Sequence, residues 1–85
     1  MSYSIFLRPA AVRDLDSLES DIRGRVELAI GRLAENPRPH GSKKLVGFEN
    51  EWRQRVGDYR ILYVIDDRAR RVTIARVAHR REAYR

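Results

Sequence analysis

Hydrophobic and polar residues alternate most regularly between residues 52 and 63, on either side of the pair Gly57-Asp58. Both runs are rich in residues that favour strands, and a Gly-Asp pair between two such runs is typical of a two-residue hairpin turn. With that turn, Arg55 lies directly opposite Arg60. Because side chains alternate across a sheet, the hairpin has two different faces. One face carries Trp52, Gln54, Val56, Tyr59, Ile61 and Tyr63, and the other carries Arg53, Arg55, Arg60 and Leu62.

The remaining residues divide into helical and strand-like segments. Apolar residues recur at helical spacing from Pro9 to about Leu18, and again from Ser20 to the Asn36-Pro37 pair, where proline ends the helix. The order of elements indicates an α+β fold, in which an N-terminal strand and a two-helix hairpin pack on one face of a mainly antiparallel sheet of about four strands, followed by a short helical tail. Beyond the hairpin, strands are predicted at residues 2–7, 43–46 and 72–78.

Composition narrows the class of protein. A chain of 85 residues, 42% of them hydrophobic and three of them proline, predicts one globular domain over residues 1–85. Cysteine is absent, so no disulfide or thiol chemistry is expected, and the composition is compatible with the cytoplasm. The apolar runs are too short for a membrane span. Two scattered histidines without cysteine argue against a metal site, and we expect no cofactor.

Positive charge is concentrated in the strand-rich half of the chain. Residues 1–42 hold six Arg and six acidic residues, whereas residues 43–85 hold twelve Lys and Arg against six acidic residues. Ten of those twelve are Arg, whose planar guanidinium binds phosphate through two parallel hydrogen bonds. This asymmetry suggests a polyanionic partner, which can be a nucleic acid, a membrane surface or an acidic protein.

Two interpretations of the arginine face remain open. Arginines on a strand commonly form a solvated outer surface whose aliphatic stems cover apolar neighbours. Directly opposed like charges, however, destabilise a sheet, so a fold that sets Arg55 against Arg60 has reason to bind an anion between them. In that case the helical hairpin covers one face of the sheet, and the arginines lie on the open face.

The register of the last strand also remains open. Strict alternation puts Val77 on the face opposite Val72. A three-residue loop before this strand would place Arg76 beside Arg60, whereas a four-residue loop would put Arg76 on the other face. The tail at residues 79–85 then adds three Arg, one His and one Tyr.

Two motifs resemble a known family, the RelE/ParE superfamily of bacterial and archaeal toxins from type II toxin–antitoxin systems. They are Arg53-x-Arg55-x-x-Gly57-x-Tyr59-Arg60-Ile61-Leu62-Tyr63 and Val77-Ala78-His79-Arg80-Arg81-Glu82-Ala83-Tyr84. The segments Tyr3-x-Ile5 and Asp14-Leu15-x-x-Leu18 also resemble the first strand and helix of that family, so the similarity extends over nearly the whole chain.

The resemblance implies a toxin that a cognate antitoxin, acidic in its toxin-binding segment, holds in check. RelE-type members cleave mRNA in the A site of the ribosomal 30S subunit, whereas ParE-type members poison DNA gyrase and lack the catalytic set. The RelE-type catalytic positions fall here on Arg53, Arg55, Arg60, Arg80 and Tyr84, which favours the endoribonuclease. Contacts to RNA or to the ribosome are expected from Lys43, Lys44, Arg76, Arg81 and Arg85.

The proton-transfer groups are not identified by these motifs. Arginine stays protonated at physiological pH, so Arg53 and Arg55 cannot act as general bases. Tyr84 can accept a proton or stack on a base, or it can simply anchor a short helix. His79 can act as an acid because histidine titrates near neutrality, or it can be a solvated residue at a strand end. A gyrase-binding toxin and a basic nucleic-acid-binding module without toxicity remain alternatives.

Overall fold

The structure, a computed structural model, describes residues 2–47 and 50–81 of the chain. Two helices pack on one face of a five-stranded mixed sheet with the strand order β1-β5-β4-β3-β2. No helix in the described part of the chain is long and apolar enough to cross a membrane. The elements are β1 (Ser4–Leu7), α1 (Pro9–Asp16), α2 (Ser20–Arg32), β2 (Lys43–Lys44), β3 (Glu51–Val56), β4 (Tyr59–Asp66) and β5 (Arg71–His79).

The strand count differs from the expected number of about four, although the α+β fold class is confirmed. The difference comes from β1, which pairs in parallel with β5 and makes an otherwise antiparallel sheet mixed. At the other edge β2 is only two residues long, so it covers only part of β3. The predicted helical tail falls mostly on residues 82–85, which lie outside the described residues.

The hairpin of β3 and β4 has the register that the sequence predicts. Trp52 pairs with Tyr63, and Arg55 pairs with Arg60. Gly57 begins the turn with a φ of 57°, a left-handed conformation that glycine adopts without the steric penalty of a Cβ atom. The turn chemistry and the alternation therefore specify the same pairing.

A β-bulge in β5 resolves the open register. Asp66 pairs with Arg71 across a four-residue turn, but the register shifts between Leu62 and Tyr63, which pair with Arg76 and Ile74. Ala75 is the extra residue, and it reverses the alternation of every side chain after it. Val77 consequently joins Val72 on the helix-covered face, so strict alternation was wrong here. Arg76 therefore lies on the same face as Arg60, but it pairs with Leu62 and not with Arg60 itself.

The core lies between the helices and the face of the sheet that carries Trp52 and Tyr63. Trp52 is half-buried against this core, and the Arg38 guanidinium lies 5.2 Å from the centroid of its ring. The Tyr63 side chain is almost fully buried, and its hydroxyl donates a hydrogen bond of 2.8 Å to the carbonyl of Pro37. The most buried apolar residues are Ala11, Val26, Leu33, Ile61, Ile65, Val72 and Ile74.

A surface network ties three separate segments together. The Tyr3 hydroxyl donates to Asp67 at 2.6 Å, and Arg38 donates two hydrogen bonds to the same carboxylate at 2.7 and 3.1 Å. Hydrogen bonds from Arg38 and, to a smaller extent, from Tyr3 lower the pKa of Asp67 to about 2. The network therefore joins the N-terminal segment, the loop after α2 and the β4–β5 turn.

The buried hydroxyl of Tyr63 gives the fold a specific response to alkaline pH. Burial raises the pKa of Tyr63 to about 12, so the folded state holds it neutral where an unfolded chain would ionise it. The neutral hydroxyl contributes about 1–3 kcal/mol to the free energy of unfolding. This contribution is complete below pH 10 and should be lost as the pH rises through 12. Urea unfolding of the wild type and of Tyr63→Phe across that range should show a steeper loss in the wild type. At neutral pH the variant should be about 1–2 kcal/mol less stable, because the Pro37 carbonyl loses its partner. Parallel curves for the two proteins would contradict the assignment.

Candidate active site

Three arginines on β3 and β4 form the centre of the site. Arg53 and Arg55 alternate with core-facing residues along β3, and Arg60 lies directly opposite Arg55 on β4. The register thus brings all three to the face of the sheet away from the helices. Arg55 is exposed, Arg53 is half-buried and Arg60 is buried.

Burial of Arg60 is the main departure from the solvated, open face that the sequence suggests. The Arg60 side chain is only 8% exposed, and its neighbour across the strands on β5, Ala78, is 7% exposed. Loss of solvent lowers the pKa of Arg60, and the charges of Arg55, Arg53 and Arg80 lower it further. An anion placed among these groups would offset both effects, so the cluster favours a phosphate.

Arg80 reaches this cluster from the end of β5. Its backbone N–H donates a hydrogen bond of 2.7 Å to the carbonyl of Asp58, in the turn of the β3–β4 hairpin. This contact closes the end of β5 onto the hairpin tip. The site therefore combines residues from two segments that lie apart in sequence. We call Arg53, Arg55, Arg60 and Arg80 the arginine cluster.

A groove of about 400 Å³ runs along the edge of β3 next to the arginine cluster. Lys43 pairs with Arg53 across β2 and β3, so the two residues lie side by side on one face, whereas Lys44 pairs with Trp52 and so takes the opposite face. The sequence analysis missed His40 and Gly41, because nothing in a polar loop indicates which strand it will meet. The groove is lined by His40, Gly41, Lys43, Arg53, Gln54 and Arg55.

Other predicted residues lie around the margin of the site. His79 pairs with Tyr59, so the register gives it the face opposite Arg60, and its ring packs edge-on against the Tyr59 ring at 5.4 Å. The His79 Nδ1 atom accepts a hydrogen bond from the backbone N–H of Arg81, which is exposed. Arg76 makes a salt bridge to Asp14 with a separation of 2.7 Å. The roles predicted for these residues stay predictions.

Two predicted residues, Tyr84 and Arg85, lie outside the described residues. Within residues 2–47 and 50–81, no three His, Cys, Asp or Glu side chains come together as the ligands of a metal ion would. What the described site contains is a set of fixed cations. These can orient a phosphodiester and stabilise the extra negative charge of a pentacoordinate phosphorane, but they cannot remove a proton.

The fold is that of a family of small toxins. The family model described as "ParE toxin of type II toxin-antitoxin system, parDE" matches residues 5–84. The chain belongs to this family, within the RelE/ParE superfamily that its motifs resemble, and it is a RelE-type toxin of a toxin–antitoxin system.

Named relatives are RelE toxins. The chain is 37% identical to Toxin RelE of Mycobacterium tuberculosis over 84 residues, which is 98% of this chain and 87% of that protein. It also superimposes on a chain of the RelBE2 toxin–antitoxin complex of the same species with a TM-score of 0.79 and 36% identity, covering 93% of this chain and 99% of that one. A chain of the archaeal RelE–RelB complex of Pyrococcus horikoshii gives a TM-score of 0.85 at 26% identity, covering 98% and 100%.

The crowding of Arg60 predicts how the site responds to anions. Arg60→Met keeps an unbranched apolar stem and removes a buried charge, so the free energy of unfolding should stay equal or rise by about 1–2 kcal/mol at low salt. Inorganic phosphate at constant ionic strength should raise the melting temperature of the wild type, and should raise that of Arg60→Met much less. Calorimetry in matched chloride and phosphate buffers measures both effects. A strongly destabilised Arg60→Met protein would mean that Arg60 serves the fold instead.

Proposed function

We propose that this toxin is a metal-independent endoribonuclease that cleaves mRNA in the A site of the ribosomal 30S subunit and thereby inhibits translation. The observation that carries the proposal is the arginine cluster, in which a buried Arg60 lies among Arg53, Arg55 and Arg80. A solvated surface has no reason to withdraw one arginine from water among three others. A site that binds a phosphodiester does, because the negative charge of the ligand stabilises the Arg60 guanidinium, whose pKa is lowered by burial and by its charged neighbours.

Cleavage would proceed by attack of the 2′-oxygen of the RNA on the adjacent phosphorus. The new bond between the 2′-oxygen and phosphorus forms as the bond from phosphorus to the 5′-oxygen breaks, which leaves a 2′,3′-cyclic phosphate and a 5′-hydroxyl. Negative charge accumulates on the phosphorane, where Arg55, Arg60 and Arg80 would stabilise it. The proton of the 2′-hydroxyl must leave, and the 5′-oxygen must gain one.

Proton transfer explains the proposed dependence on the ribosome. Arg53 and Arg55 hold the phosphate but cannot accept a proton. Tyr84 is the proposed acceptor, or else stacks on a base. His79, predicted from the sequence as a possible acid, lies on the face opposite Arg60 and against Tyr59, so the group that protonates the 5′-oxygen stays unassigned. With such weak proton-transfer groups, the rate depends on an mRNA that is already bent for in-line attack, as the ribosome can present it. Lys43, Arg81 and Arg85 are the proposed contacts to RNA, whereas Lys44 takes the opposite face of the sheet and Arg76 binds Asp14.

A second candidate function is inhibition of DNA gyrase, which is favoured by the ParE name of the matching family model. The two activities separate in one pair of assays. Primer extension on translated mRNA detects endonucleolytic cuts, and supercoiling of plasmid DNA detects gyrase inhibition. Inhibited supercoiling without cuts would replace the proposal with this alternative.

The purified toxin should cut ribosome-bound mRNA far faster than the same RNA free in solution. The physical reason is the absence of a strong base among the arginines. Primer extension on matched translated and naked transcripts measures the difference. Equal rates on the two RNAs would contradict ribosome dependence.

Arg60→Ala should reduce ribosomal cleavage on the order of a hundredfold or more, as the loss of a donor that stabilises transition-state charge typically does. Arg68→Ala is the matched control. It removes the same charge from an exposed position in the β4–β5 turn and should leave the rate unchanged within about twofold. Equal losses of cleavage rate in the two variants would mean that Arg60 acts only through the net positive charge of the protein.

We also propose that a cognate antitoxin with an acidic toxin-binding segment neutralises the toxin. The solved complexes of similar toxins with RelB support such a partner. Oppositely charged partners associate fast at low salt, and they associate more slowly when added salt screens their charges. Stopped-flow association should therefore slow by at least tenfold between low and high salt, whereas a salt-independent rate would indicate an apolar contact.

A further inference from the structure

The outer edge of β5 is covered in two different ways along its length. From Arg71 to Ile74 it pairs with β1. The backbone N–H of Arg8 then donates to the carbonyl of Ile74 at 3.0 Å, and the chain turns into α1. Beyond Ile74, β5 therefore continues past the end of its neighbouring strand. This half carries the bulge and leads to Arg80.

Asp14 on α1 takes the place of the missing strand. Its Oδ2 atom accepts a hydrogen bond of 2.9 Å from the backbone N–H of Val77 and one of 2.7 Å from Nε of Arg76. Its Oδ1 atom accepts a further bond of 3.1 Å from Nη2 of Arg76. The Asp14 side chain is 17% exposed, so this carboxylate is largely withdrawn from water and committed to β5.

The charged form of Asp14 is the one that the structure favours. Partial burial raises its pKa, but the hydrogen bonds from Arg76 and from the Val77 N–H outweigh that effect and lower the pKa overall. A charged acceptor makes stronger hydrogen bonds than a neutral one, and it holds a backbone donor in a defined place. The carboxylate is thus a firm anchor at neutral pH.

The anchored residues lie immediately after the bulge. A bulge leaves the ladder locally disrupted, and a strand that ends near one can slip back by one residue. A slip would exchange the faces of Val77 and Ala78 and would move the partner of Arg60. Because Asp14 binds both the side chain of Arg76 and the backbone of Val77, it holds the bulged register.

We propose that Asp14 is a positioning residue for Arg80 in the cleavage reaction. Val77 lies three residues before Arg80. On one side of this segment Asp14 binds the Val77 N–H, and on the other side the segment pairs with β4 and ends at the bond from the Arg80 N–H to the Asp58 carbonyl. The inference rests on the proposed endoribonuclease activity. Its content is that α1 sets the geometry of the arginine cluster without touching the RNA.

A positioning role predicts a loss in turnover rather than in binding. Misplacement of a catalytic group by about 1 Å reduces rates on the order of a hundredfold. Asp14→Ala should therefore lower kcat on ribosome-bound mRNA by tenfold to a hundredfold, with KM for the ribosome changed less than threefold. Asp14→Asn retains an oxygen that can accept from the Val77 N–H, and it should recover part of the lost turnover. Asp16→Ala is the control, since it removes an exposed carboxylate from the same helix.

Coupling to Arg80 separates positioning from a general loss of stability. In an Arg80→Ala background, Asp14→Ala should cause no further loss of turnover, because the group that it positions is already gone. Circular dichroism gives the folded fraction of each variant, and rates are compared per folded molecule. Full additivity of the two substitutions, or wild-type turnover per folded Asp14→Ala molecule, would overturn the proposal. Absence of cleavage by the wild type would refute the proposed function itself, whereas an Arg80→Ala variant that cleaves normally would overturn only the positioning role, because Arg80 would then take no part in the reaction.

Discussion

Arg55 and Arg60 occupy directly opposed positions on the β3–β4 hairpin, and the candidate site depends on how the fold keeps them there. Like charges on facing strand positions destabilise a sheet by roughly 0.2–1 kcal/mol, and Arg60 is in addition withdrawn from water. The opposite face of the same hairpin buries Ile61 and Tyr63 against the helices. Each such side chain contributes about 1.5–3 kcal/mol, so the core outweighs the repulsion and holds the two arginines opposite each other.

That arrangement suits a transition state better than a ground state. A phosphodiester carries one negative charge, and a phosphorane carries more, so a cluster of fixed cations interacts more strongly with the latter. The preference is greatest near Arg60, because a partly desolvated charge is screened less than an exposed one. The same chemistry supplies no base, which makes the conformation of the RNA as important as the cations. In the proposed mechanism the toxin contributes electrostatics and the ribosome contributes geometry.

The sequence predicts the hairpin because everything that specifies it is local. Gly57, the alternation and the β propensities all favour one register, and that register is confirmed. The path of β5 could not be predicted in the same way, because its bulge at Ala75 is held by Asp14, which lies 62 residues from Arg76 in the chain. Burial of Arg60 was also missed, since alternation assigns a face but not its solvent exposure. Likewise, only the folded loop shows that His40 lies beside the groove.

Arg55 and Arg60 lie on a hairpin that local sequence specifies, whereas Arg80 follows a strand whose register involves a distant helix. The two parts of the site therefore depend on different regions of the fold. The positions of Arg55 and Arg60 follow from a hairpin whose strands are consecutive, so they should persist as long as the core is intact. Arg80 follows a strand whose last residues pair with β4 on one side and are also held by one carboxylate on α1 and one carbonyl in the hairpin turn. A change in the packing of α1 therefore reaches Arg80 before it reaches the hairpin. The first helix, which carries one Arg and two Asp and packs on the other face of the sheet, is in this proposal a determinant of the site together with the strands that carry the cations.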